Sequence, residues 1–147
     1  MDLDVLSREG AAILVVDDDP GMRAYVRRCL ESLTSRVIEA ADGTEALEAA
    51  RAAGPGGVAL VIADVVMPGL DGLALRQALR ADPDLAAVPV LLISCEVGSE
   101  VARQGPLLRK PFNRRTLLVE VRSIIGMNDK SKPSVSDGTS ESGRDVS

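Results

Sequence analysis

The sequence contains no histidine and no tryptophan, and only one tyrosine, one phenylalanine and two cysteines among its 147 residues. Without an imidazole it offers no histidine general base, no zinc–histidine site and no phosphohistidine of its own. Cys29 and Cys95 lack C-x-x-C spacing, which argues against a zinc cage or a redox pair. Cys29 falls on the apolar side of a helical pattern and reads as a small core residue. Basic charge is in deficit, with 17 Lys and Arg against 22 Asp and Glu and a net charge of -5. That balance argues against non-specific attraction to nucleic acid or to an anionic membrane. No apolar run approaches the roughly 18–20 residues that cross a bilayer, and the longest, Val58–Ala63 and Ala86–Ile93, are strand-sized. The opening MDLDVLSREG has neither the basic start nor the apolar middle of a signal peptide, so a cytosolic protein is expected.

What is present suffices for one packed domain. Hydrophobic residues make up 46% of the chain, enough for a core without disulfides or a structural metal. Residues 1–10 read as a lead-in and 11–126 as the domain. Residues 127–147 are rich in Ser, Asp, Gly and Lys without apolar periodicity and read as a disordered polar tail. That tail is too short and polar to form an effector domain, so a stand-alone protein is expected.

Within the domain, short apolar runs alternate with helical patterns. Strands are expected at Ala12–Val16, Arg36–Glu39, Val58–Ala63, Val90–Ile93 and Leu107–Arg109. Helices are expected at Pro20–Leu33, from Asp42 to about Ala53, at Gly72–Arg80 and at Arg114–Ile125, with a short one near Ser99–Arg103. Asp42 with Glu45 three residues on forms a capping box, and Gly54 is the stop. Strand–helix alternation implies an α/β fold with a parallel sheet covered on both faces. Three strands are apolar throughout and suit the centre, whereas the second and fifth suit edges. A doubly wound, flavodoxin-like five-stranded order of 2-1-3-4-5 satisfies this pattern.

Ligands of such sheets bind beyond the carboxyl ends of the strands. There the sequence places Asp17-Asp18-Asp19, Asp64, Ser94 and Lys110. Asp19 precedes Pro20 and reads as a helix cap. Asp17 and Asp18 facing Asp64 would repel in a half-buried cleft, and a hard divalent cation relieves this; oxygen ligands with water suit Mg²⁺. Lys110 is the only lysine in residues 1–126, against 13 arginines. A compact ammonium set against carboxylates or a phosphoryl group is what Lys offers and Arg does not. Ser94 reads equally as a turn residue or as a hydroxyl donor to a phosphoryl oxygen. Together these parts suit phosphoryl transfer through an aspartyl phosphate.

The segments ILVVDDDP (13–20), LVIADVVMPGLDG (60–72), PVLLIS (89–94) and LLRKPF (107–112) resemble the receiver domain of two-component response regulators. The resemblance implies Asp64 as phosphoacceptor. It implies Mg²⁺ on Asp18, Asp64 and the backbone oxygen of Val66, with Asp17 acting largely through water. It further implies Ser94 as the switch hydroxyl, Lys110 on the phosphoryl group, and a cis Lys110–Pro111 bond. The donor would be a sensor histidine kinase or a histidine phosphotransfer protein, and output would pass to a further protein, with no nucleic acid or membrane partner and no enzymatic role beyond self-phosphotransfer and autodephosphorylation. Three features depart from the family. Leu107 stands where an aromatic is usual, and Cys95 where Ala or Gly is favoured. Only 15 residues separate Ser94 from Lys110, which shortens the fourth helix. The alternatives are a phosphate-blind interaction module and a phosphatase of the haloacid dehalogenase type using Asp17 and Asp19. A flavin site is weaker, because three acids stand where its phosphate loop would be.

Overall fold

The computed structural model describes residues 11–34, 36–95 and 105–128. Five parallel strands, β1 (Ala12–Val16), β2 (Val37–Ala40), β3 (Val58–Asp64), β4 (Val90–Ser94) and β5 (Leu107–Arg109), form one sheet in the order β2-β1-β3-β4-β5. The helices are α1 (Pro20–Leu30), α2 (Gly43–Ala53), α3 (Gly72–Ala81) and α4 (Arg114–Asn128). The doubly wound order and the edge positions of β2 and β5 match the expectation. The short helix expected near Ser99–Arg103, the lead-in 1–10 and the tail from 129 onward lie outside the described residues.

Period-two alternation in β1 divides the core. Ile13 and Val15 face α1 and α4, packing with Val26, Leu30, Leu117 and Val121. Leu14 and Val16 face α2 and α3, packing with Ala46, Ala50, Leu75 and Leu79. Every residue of β1 and β4 is buried, as parallel strands covered on both faces require. Leu107 is half-buried and packs on the α2–α3 side.

The helix starts follow from local chemistry. Asp19 caps α1 by accepting from the Gly21 amide at 3.0 Å, and Pro20 occupies the first turn, where a missing N–H costs nothing. Asp42 accepts from the Glu45 amide at 2.8 Å, while Glu45 reaches back to the Ala41 amide rather than to that of Asp42. Asp71 caps α3 through the Ala74 amide at 2.9 Å. Two helix ends differ from expectation. α1 stops at Leu30, and residues 31–33 form a tighter turn with Glu31 N–H on Arg28 O and Leu33 N–H on Leu30 O. α4 runs past Ile125 and through Gly126, because buried Ile124 and Ile125 pin its last turns to the sheet. β2 begins one residue late, yet the Arg36 carbonyl already accepts from Ile13 N–H at 3.0 Å.

Gly72 locks α3 to the sheet edge. Its amide donates to the Val65 carbonyl at 3.2 Å. A Cβ there would stand 2.5 Å from the Asp64 carbonyl oxygen and 3.1 Å from Leu92 Cδ2. Gly72→Ala is therefore expected to destabilise the fold by about 1–3 kcal/mol, because neither backbone nor core can yield freely. Urea unfolding checks this, and an unchanged midpoint would contradict the packing described.

Candidate functional site

The carboxyl edge of the sheet gathers acids from two adjacent central strands. β1 and β3 pair in register up to Val16–Ala63, so the residues that follow, Asp17 and Asp64, arrive side by side. One carboxylate oxygen from each of Asp17, Asp18 and Asp64 lies within 4.8 Å of the others. Asp17 and Asp64 are buried, whereas Asp18 is exposed. Three hard oxygen donors at this spacing, two walled by protein and one open to solvent, fit a small divalent cation that keeps part of its water shell.

Each buried acid is held by hydrogen bonds. Asp17 Oδ1 accepts from the Asp19 amide at 2.9 Å, and Asp17 N–H donates to Ala40 O at 3.1 Å. Asp64 Oδ1 accepts from the Val66 amide at 3.1 Å, and Asp64 Oδ2 accepts from Lys110 Nζ at 2.9 Å. Burial pushes the Asp17 carboxyl above the usual aspartate range, offset in part by the Asp19 amide and raised further by Asp64. For Lys110, burial pulls downward, but the hydrogen bond and charge of Asp64, with Asp17 adding, outweigh it and leave the ammonium above its ordinary value.

The other expected residues fall around this pair. Ser94 ends β4, buried, opposite Arg109, and its carbonyl accepts from Lys110 N–H at 2.9 Å. The structure thus couples Ser94 and Lys110 through the backbone. The Lys110–Pro111 bond is cis, as the resemblance implied. Val66 projects an apolar side chain that is 66% exposed beside the site. Cys95 is exposed and lines a groove of about 370 Å³ with Met22, Tyr25, Lys110, Pro111 and Phe112. The chain's only two aromatic rings meet in that groove, Tyr25 on Phe112 with centroids 6.0 Å apart.

Gly72, which ends the 60–72 motif, also takes part, as do two residues not singled out from the sequence, Arg23 and Glu39. Gly72 packs on the Asp64 carbonyl. Arg23 donates from Nη1 to the Asp17 carbonyl at 2.7 Å, and Glu39 receives Arg23 Nε at 3.2 Å. The available signal was a lone acid in the strand VIEA opposite a helix with three arginines and no acid.

Comparison with known proteins agrees with this arrangement. The family profile described as response regulator receiver domain matches residues 13–122. The probable transcriptional regulator ycf27 of Pyropia yezoensis is 34% identical over 125 residues, covering 80% of this chain and 49% of that protein. The sensor histidine kinase TmoS of Ectopseudomonas mendocina is 31% identical over 121 residues, covering 78% of this chain and 12% of the kinase. The chain thus spans at most about half the length of these relatives. Among solved structures, the chemotaxis protein CheY4 of Vibrio cholerae superposes with a TM-score of 0.71 at 32% identity, covering 78% of this chain and 98% of that one. The receiver domain of the hybrid histidine kinase CckA gives 0.66 at 35% identity, covering 78% and 99%.

A cluster of acids with one ammonium between them is a stability cost without a cation. Asp17→Asn keeps the acceptor for the Asp19 amide and removes a buried charge. It is expected to stabilise the metal-free protein at neutral pH by about 1 kcal/mol, roughly 4 °C in Tm for a domain of this size. The sign in pH follows from the raised Asp17 carboxyl: the folded state binds the proton more tightly, so this group lowers stability as pH rises through the range above the ordinary aspartate value. The advantage of the variant should therefore shrink on acidification. Thermal melts in EDTA across pH check both points, and a variant that is less stable at neutral pH would contradict them.

Proposed function

The chain belongs to the response regulator receiver family, and from that premise we propose that it accepts a phosphoryl group on Asp64 from a phosphohistidine of a partner protein and signals through protein contacts. The observation that carries this reading is the Asp64 carboxylate, buried at the sheet edge, paired to Lys110 Nζ at 2.9 Å and grouped with Asp17 and Asp18.

In the proposed reaction an Asp64 carboxylate oxygen attacks phosphorus. The new O–P bond forms as the N–P bond to the donor imidazole breaks, and the imidazole nitrogen keeps the electron pair and takes a proton from solvent. Lys110 would hold its positive charge against the transferred oxygens, and the Ser94 hydroxyl would orient them. Asp17, Asp18 and Asp64, with the Val66 carbonyl, would hold Mg²⁺, which supplies charge neutralisation for the transferring group. With no histidine, this sequence cannot itself supply the phosphohistidine donor, so the donor is a separate group. The donor is a sensor histidine kinase or a histidine phosphotransfer protein. The apolar groove beside Lys110 is the surface such a donor would cover to bring its imidazole to Asp64. We read the chain as a cytoplasmic signalling module whose chemistry is its own phosphorylation and dephosphorylation. Among the described residues, no helix is long and apolar enough to cross a membrane.

A specific observation weighs against the phosphatase alternative. Asp19, its required second acid, is spent capping α1 on the Gly21 amide, and the ammonium sits on Asp64 rather than Asp17.

Incubation with acetyl phosphate and Mg²⁺ followed by intact-mass spectrometry tests the proposal. One phosphoryl adduct is expected on the wild type, none on Asp64→Asn and none in EDTA. An adduct located on Asp17 would favour the phosphatase reading. No adduct together with no Mg²⁺ binding by calorimetry would overturn the proposal and leave a phosphate-blind interaction module.

A further inference from the structure

The acidic turn after β1 is held from outside by a two-armed arginine. Arg23 lies one turn into α1 and directs both arms of its guanidinium. Nη1 donates to the Asp17 carbonyl at 2.7 Å, and Nε donates to Glu39 Oε1 at 3.2 Å. Glu39 stands on β2 beside Val15, and its other oxygen receives Arg27 Nη1 at 2.7 Å. One guanidinium therefore ties the end of β1 and the start of α1 to β2. The Arg27 hydrogen bond, with that of Arg23, holds the Glu39 carboxyl below its usual range.

The turn needs such a restraint. Asp17 and Asp18 are adjacent in the chain, and their charges repel each other and Asp64, which drives the turn away from β3. The Asp17 amide is fixed on Ala40 O and its carboxylate on the Asp19 amide. Among the described contacts, Arg23 is the side chain that holds the Asp17 carbonyl. A charge-assisted bond of 2.7 Å from a planar fork fixes direction as well as distance.

We propose that Arg23 is a positioning residue of the metal site: by bridging the Asp17 carbonyl and the Glu39 carboxylate, it holds the Asp17–Asp18 turn at the spacing a divalent cation requires. This rests on reading the acidic cluster as a Mg²⁺ site. Arg27 is the internal control, because it shares the same carboxylate on the same helix and its hydrogen bond among the described residues goes to Glu39 rather than to the turn. A partly exposed ion pair contributes little to folding, so losing either arginine should leave the fold intact.

Calorimetric titration of the full chain with Mg²⁺ tests this, with thermal melts as the check on folding. Arg23→Ala should weaken Mg²⁺ binding about tenfold, the scale for losing a group that orients a metal ligand. Arg23→Lys reaches only one of the two acceptors and should give an intermediate loss, which also serves if the alanine variant fails to fold. Arg27→Ala should stay within about twofold of wild type, as expected for an exposed pair outside the turn. With acetyl phosphate, the Arg23 defect should appear in the Mg²⁺ concentration giving half-maximal phosphorylation rather than in the maximal rate. Wild-type affinity in Arg23→Ala, or equal losses in the Arg23 and Arg27 variants, would overturn the proposal while leaving the metal site standing. A wild type that binds no Mg²⁺ would overturn both.

Discussion

Mutual repulsion among three carboxylates at one sheet edge is the constraint around which this structure is arranged. At 4.8 Å, the bound within which one oxygen of each acid lies, two unit charges in an effective dielectric of about 20 repel by roughly 3 kcal/mol. No isolated loop would hold three acids so close. Here Asp17 follows β1 and Asp64 ends β3, buried strands hydrogen-bonded in register, so the sheet sets their spacing and the core resists their separation. Lys110 offsets part of the repulsion through Asp64, leaving a site with excess negative charge, open to solvent on the Asp18 side.

That frustration is what the proposed function would use. A cation would relieve that repulsion, and under the proposed function the Lys110 ammonium, now on Asp64 Oδ2, would turn to a phosphoryl oxygen. The parts most exposed to such an exchange are linked through backbone rather than through long side chains. The Lys110 amide is fixed on the Ser94 carbonyl, the Asp64 carbonyl packs on Gly72, and the Asp17 amide is fixed on Ala40. The Lys110 backbone is thereby joined to β4 and to the Pro111–Phe112 segment, where Phe112 meets Tyr25. Leu107, in place of an aromatic, is half-buried against the α2–α3 side and offers no ring to rotate.

Much of this was legible in sequence because parallel α/β folds report themselves locally. Uniformly apolar strands, Asp-Pro and Asp-x-x-Glu helix starts, and polar residues terminating successive strands need no long-range information. Asp17, Asp18, Asp64 and Lys110 are expected at one sheet edge on those grounds and are found there, whereas the 2-1-3-4-5 order is expected from the known flavodoxin-like fold and is also found. Helix ends were less legible. α1 stops before Leu33 and α4 continues through Gly126, because packing against the sheet, rather than residue propensity, decides where a last turn holds. The pairing of Arg23 with Glu39, 16 residues apart, is invisible to periodicity. So is the burial of Arg76 on α3, beside Gly105 at the entry to β5.

The sequence by itself determined the alternation of strands and helices, the face each helix buries, and the chemistry delivered to each strand end, because these depend on period, capping and residue type within a few positions. Only the tertiary structure decided which oxygen of Asp64 meets Lys110, how close the three acids stand, and which arginine of α1 reaches the acidic turn. Those are distances between segments far apart in the chain, and they exist only once both faces of the sheet are packed.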